Sequence, residues 1–195
     1  MFIELTDQLR CPADHQESFL VLLPDEMQGR SVRAGRLGCP VCGRTYAVAD
    51  GVLDLGGGRA ELPDATLLTP EALTALVGLS GPGGYLVLVG RPASGWREVA
   101  ERNPGVTLIA VNPDADVVDE PGISVLRSDA LPLRSRSMRG AVLGSPFGED
   151  PHWVAEAARV VLPGLRIAGE GRVPDPGRLD LMAAAGGAWV GSPRR

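Results

Sequence analysis

Lysine is absent from this chain: all 19 basic residues are arginine. Set against 24 acids, they leave a formal charge of -5 and a pI near 5.1. A nucleic-acid coat needs a basic face to neutralise phosphates, so that role is excluded and nucleic acid is not an expected partner. The arginine usage reads first as codon bias in a GC-rich genome. Aromatic residues are scarce at 4%, so the core must rest on Val, Leu and Ala. No apolar run approaches the ~18 residues of a membrane span. Met1–Asp7 has no basic stretch followed by an apolar one, so no signal peptide is expected. Cysteines number only three, an odd count, which excludes a disulfide framework and points to metal or redox chemistry. The expected location is the cytoplasm, either soluble or peripheral to a complex, a membrane complex included.

What is present suffices for a packed core. Hydrophobic residues make up 44% and charged ones 22% of 195 residues. That fits one ordinary domain, or a small module joined to a compact one. The 26 Gly and 17 Pro announce many tight turns. The chain divides near residue 60: every cysteine lies in 1–57, residues 58–68 read as a Gly-rich linker, and 69–195 form the second part. In that part Thr69-Pro70-Glu71 is a helix start, with a threonine cap, proline in the first turn and an acid after it. The helix is expected to run to Leu79. Tyr85–Val89 is an apolar run suited to a buried parallel strand, and Val106–Val111, Ile123–Leu126, Met138–Leu143 and Leu165–Ala168 repeat the pattern. Helices are expected over Trp96–Asn103 and Pro151–Val161, the latter closed by Leu162-Pro163-Gly164. Leu179–Ala185 reads as a short helix and Ala188–Val190 as a short strand. Strands alternating with helices predict an α/β fold with a mostly parallel sheet.

The strongest local signal is a pair of knuckles, Cys11-Pro12-Ala13-Asp14-His15 and Cys39-Pro40-Val41-Cys42-Gly43. Tetrahedral Zn²⁺ takes four N or S ligands, and a tight turn presents two of them when they lie a few residues apart. Cys11, His15, Cys39 and Cys42 meet that requirement. Asp14 stands where a Cys-x-x-Cys pair would place its second ligand and rivals His15. Three thiols without metal are the plainer alternative. A module of this size buries little surface, so a metal would supply much of its folding energy.

The segments Leu9-Arg10-Cys11-Pro12, Gly38–Tyr46 and Asp50–Leu55 resemble the Trm112-like zinc-ribbon family over residues 5–56, departing from it at Asp14. The resemblance implies a small β-rich ribbon holding Zn²⁺ and a role as partner or activator of methyltransferases. The later segments Ser128–Leu133, Met138–Leu143 and Ala158–Gly164 resemble class I S-adenosylmethionine-dependent methyltransferases, over about residues 68–172. That likeness implies a Rossmann-like fold and a site for S-adenosylmethionine.

The residues of that implied site depart from the family pattern. Gly90 matches the first glycine of the cofactor loop. Leu88 stands at its acid, Pro92 at its second glycine, and Ser94 or Gly95 at its third. Proline fixes φ and removes an amide donor from a loop that works by close backbone approach. Asn112 replaces the ribose-binding acid, with Asp114 two residues late. Asp129 matches the acid that meets the adenine amino group, or is a strand-end cap. The stretch from Asp114 to Gly122 is too short for an ordinary crossover helix. The C-terminus looks short as well, so the fold is expected to be a truncated Rossmann-like sheet with an edge left for a partner protein. His152 reads as a capping residue or a general base, Trp96 and Trp153 as core or partner contacts. Arg127, Arg134, Arg136 and Arg139 read as a solvated face or a contact to an acidic partner. The expected function is a non-catalytic structural or regulatory subunit of a larger assembly, with Gly90, Asn112 and Asp129 as cofactor residues only if S-adenosylmethionine binds. The alternative is an active methyltransferase with a divergent cofactor loop.

Overall fold

Eleven strands join into one sheet in the computed structural model, which describes residues 1–57, 61–173, 177 and 179–194. Part of the expected linker, residues 58–60, lies outside the described residues. The N-terminal part is an antiparallel meander of β1 (Val21–Gln28), β2 (Ser31–Gly38), β3 (Thr45–Ala49) and β4 (Val52–Asp54). The second part follows the expected alternation. Helix α1 (Pro70–Val77) starts on the Thr69 hydroxyl, which accepts from the Ala72 amide, and stops at left-handed Gly78, two residues before the expected end. Then come β5 (Tyr85–Val89), a 3₁₀ turn at Arg91–Gly95, α2 (Trp96–Arg102), β6 (Thr107–Val111), β7 (Ile123–Arg127), β8 (Met138–Leu143), α3 (Pro151–Val160) and β9 (Val161–Glu170). The chain ends in the hairpin β10 (Leu179–Ala185) and β11 (Ala188–Pro193).

The order along the sheet is β1-β2-β3-β4-β7-β6-β5-β8-β9-β11-β10. Strands β7-β6-β5-β8-β9 are mutually parallel and lie in the doubly wound order, with the switch point between β5 and β8. Alternation along the strands divides the core in two. Leu86 and Leu88 of β5 join Leu73, Val77, Trp96 and Val99 of α1 and α2. Val87 and Val89 face the other way, into a cluster with Trp153 and Val160 of α3 and with Leu37, Val48 and Leu53 of the N-terminal strands. No helix of the described residues is long and apolar enough to cross a membrane.

Three expectations are corrected here. Leu179–Ala185 is a strand, not a helix. Its alanines favour helix intrinsically, but Gly186-Gly187, both at positive φ, forms the tight turn that folds it onto β11. The sheet is therefore not truncated: the antiparallel hairpin that follows a fifth parallel strand is present, on β9. What is short is the helical layer, since none of the described residues between β6 and β7, or between β7 and β8, forms a helix. Leu162-Pro163-Gly164 does not end α3 with a loop before the next strand. The strand starts at Val161, and the proline sits in a register shift against β8, where a missing amide costs nothing.

The edge of β7 is covered within the chain. Strand β4 lies parallel to β7, pairing Leu53 with Leu126 and Asp54 with Arg127. Leu53 is fully buried where the two parts meet. Leu53→Ala is expected to cost about 2–5 kcal/mol. Because both parts share this sheet and one core, calorimetry of the variant should show a single transition at lower temperature. Two separate transitions would show that the parts unfold independently.

Candidate metal centre and the rebuilt crevice

The two knuckles fold toward one point. The second is a tight turn in which the Cys39 amide donates to the Arg44 carbonyl and the Gly43 amide to the Cys39 carbonyl. The first is pinned at both ends: the Cys11 amide donates to the Ser18 carbonyl and the Arg10 amide to the Pro132 carbonyl beyond β7. The ligand atoms of Cys11, His15, Cys39 and Cys42 all lie within 4.8 Å of one another. Cys11 Sγ is 3.8 Å from Cys42 Sγ, and Cys39 Sγ is 3.5 Å from His15 Nε2. Tetrahedral zinc, with bonds of about 2.3 Å to sulfur and 2.0 Å to nitrogen, separates two sulfurs by about 3.8 Å and sulfur from nitrogen by about 3.5 Å. These two pairs have those separations. His15 Nδ1 lies 2.7 Å from the Gln16 carbonyl, so a proton there leaves Nε2 as the lone-pair donor. Asp14 is exposed and outside the cluster. The donor set therefore fits zinc.

The shifts of the ligand groups differ in direction, and only that of Cys39 favours the metal-binding form. Burial opposes ionisation of Cys39, but the Cys42 and Val41 amides directed at its sulfur bring the thiol down to about 6. Burial pushes the Cys11 thiol up, partly offset by its contact with the Tyr46 hydroxyl at 3.3 Å. The Gln16 carbonyl raises the His15 pKa.

Arg159, which sequence reasoning passed over, fastens this centre to the second part. Its guanidinium donates to the carbonyls of Leu131 at 2.7 Å and Leu133 at 2.8 Å, and pairs with Glu156 at 2.8 Å and Glu17 at 3.4 Å. Glu17, three residues beyond the first knuckle's aspartate, also accepts from the Ser135 hydroxyl at 2.5 Å. The signal was present as the arginine of Ala158-Arg159-Val160, but nothing local in the sequence names its partners beyond Glu156, three residues before it.

The crevice at the carboxyl ends of β5, β6 and β7 is lined by residues that bond to the protein itself. Gly90 follows β5 at φ +73°, and a Cβ there would lie 2.8 Å from the Phe147 ring. Pro92 is buried against Gly144, where a Cβ would come within 2.4 Å of the proline Cδ. Arg91 reaches across to Asp114 at 2.7 Å, and the Ser94 hydroxyl donates to the same carboxylate oxygen at 2.8 Å. Asn112, in the left-handed region, donates to the Ser128 carbonyl at 2.7 Å and accepts from the Ser128 amide at 3.0 Å. Its side chain thereby extends the β6–β7 pairing. Gly90, Asn112 and Asp129 do end neighbouring strands, as the sequence implied. The loop, however, has no proline amide to offer, and its polar groups are engaged across the cleft. These residues do not fit S-adenosylmethionine.

The remaining expectations resolve simply. Asp150 caps α3 by accepting from the His152 amide at 2.8 Å, and the His152 ring lies 3.2 Å from the Asp129 carbonyl. Trp96 and Trp153 are core residues, the latter edge-on to Phe147 at 4.8 Å between centroids. Arg139 does not reach for a partner: it binds the carbonyls of Ser80, Gly81 and Gly83 in the turn before β5.

No protein-family model and no curated protein sequence matches the chain. Among solved structures it is similar to a protein described as an S-adenosyl-L-methionine-dependent methyltransferase from Methanococcus maripaludis, at 14% identity and TM-score 0.48, over 65% of this chain and 84% of that one. A protein described as an O-methyltransferase from Klebsiella pneumoniae is similar at 14% identity and TM-score 0.45, over 65% and 78%. A geranyl diphosphate methyltransferase in complex with GPP and sinefungin is similar at 20% identity and TM-score 0.43, over 51% of this chain. The chain spans 42% of that methyltransferase's length.

Metal analysis of the purified chain should find one zinc, released by a strong chelator with a fall in melting temperature. Cys39→Ser should abolish stoichiometric binding, whereas Asp14→Ala should leave it intact. Loss of zinc in the Asp14 variant, with Cys39→Ser unaffected, would sink the assignment.

Proposed function

We propose that this chain is a non-catalytic structural or regulatory subunit, in which a zinc-ribbon module is built into the same sheet as a methyltransferase-like fold. Cys11, His15, Cys39 and Cys42 hold one Zn²⁺, which ties down the two knuckles and supplies folding energy rather than chemistry. The reading rests above all on Arg91, which spans the crevice to Asp114. A guanidinium in that position spends the nearest acid on an internal ion pair. Pro92 and Asn112 point the same way, since one lacks the donor and the other is occupied by Ser128. A fold of this kind does not by itself carry an activity. The role is exercised through contact with other proteins.

Isothermal titration of S-adenosylmethionine into zinc-quantified protein tests this directly. No heat of binding up to millimolar cofactor is expected. Binding at micromolar strength or tighter would overturn the proposal and favour a methyltransferase with a divergent loop, whose methyl acceptor would then be sought.

A further inference from the structure

The segment that joins the two parts is not a free tether. Among its described residues, each stretch touches a residue just beyond the carboxyl end of a strand. The backbone at Gly57 presses on Asp129 beyond β7: a Cβ at this position, φ +123°, would lie 2.4 Å from the carboxylate oxygen. Leu62 is half-buried and lies against Gly90 beyond β5, where a glycine Cβ would be 3.4 Å from the leucine Cδ2. The carbonyl of Asp64 accepts from the second Arg91 nitrogen at 2.7 Å. Thr66 and Leu68 meet Glu170, the last residue of β9. That carboxylate is 2% exposed and fully partnered. One of its oxygens accepts from the Thr66 hydroxyl and from the Leu68 amide at 2.9 Å, and the other from the Ser145 amide beyond β8 at 2.8 Å.

These contacts trace a path along the carboxyl edge of the sheet, from β7 past the β5–β8 switch point to β9. In a doubly wound sheet this crevice is where a ligand sits, because the loops diverge there and strand-end groups are unused. Here the strand-end groups are used, and the chain itself supplies the partners. Thr66 offers a hydroxyl to a carboxylate, as a sugar would. Asp64 offers a carbonyl to a guanidinium, and Leu62 an apolar surface over Gly90.

We propose that residues 61–68 are a built-in occupant of the crevice, a strap clamped by Glu170 at one end and Arg91 at the middle, which excludes nucleoside-bearing small molecules. The strap deepens the non-catalytic reading and rests on it only for the claim that nothing replaces the strap once it is released. Glu170 is a positioning residue: its two oxygens join the strap to β8 and β9.

The test uses full-length, zinc-loaded protein and amide hydrogen exchange read by mass spectrometry. Glu170→Gln turns one accepting oxygen into a donor, and Arg91→Gln removes the anchor on Asp64. Each variant should speed exchange over 61–68 by roughly tenfold, with Ser145 following in Glu170→Gln, while β5 and β6 stay protected. Replacing residues 61–67 by Gly and Ser at constant length should expose the crevice to an apolar dye that the native chain does not bind. Unchanged exchange in both variants, or no dye binding in the replaced chain, would overturn the strap. S-adenosylmethionine added at millimolar concentration to the strap-replaced chain separates the two proposals. Binding there and not to the native chain would uphold the strap as the element that keeps the cofactor out and leave the non-catalytic reading of the native chain standing. Binding to the native chain with strap exchange unaltered would refute the strap as an excluding element.

Discussion

The parallel pairing of β4 with β7 is the contact on which the rest of this molecule depends. It is short, two residue pairs long, yet it turns two sequence segments into one sheet. With Leu53 seated against Leu126, the inner face of the N-terminal strands opens onto the same core as α3. A small ribbon then need not bury its own hydrophobic surface, which a module of that size does poorly. The same pairing removes the exposed edge of β7 and brings the first knuckle against the loop at Leu131–Leu133.

Two polar clusters exploit that placement. Arg159 gathers the carbonyls of the 131–133 loop and the carboxylates of Glu156 and Glu17, which links the segment after the first knuckle to α3. On the far side of the sheet's carboxyl edge, Glu170 gathers donors from the joining segment and from the loop after β8. Glu170 is removed from water, where each hydrogen bond to charge is stronger and each unmade one costlier, whereas the Arg159 cluster is part-exposed. The crevice between them is lined by groups already engaged with one another.

Much of this was legible in the residues. The apolar runs at Tyr85–Val89 and Met138–Leu143 could only be buried strands, and Thr69-Pro70 marked its helix start to the residue. The four candidate ligands followed from donor type and spacing, with His15 preferred to Asp14 because imidazole is the better zinc donor, and the structure gathers those four side chains. Pro92 and Asn112 marked the departure from a cofactor loop. The alanine-rich stretch before Gly186 misled, since local propensity spoke for helix while the partner strand that decided the matter lay across a two-glycine turn.

Sequence alone determined the parallel α/β core, the four candidate ligands and the impairment of the glycine loop, because each is written in local chemistry: periodicity, donor atoms, or a ring in place of an amide. Tertiary structure alone decided that the ribbon extends the sheet, that the final hairpin completes it, and that Arg91, Asn112 and Glu170 face protein instead of solvent. Those facts depend on residues 16 to 104 positions apart, as in Asn112 with Ser128 and Thr66 with Glu170. Such pairings are set by which surfaces meet when the chain collapses, and no local pattern encodes them.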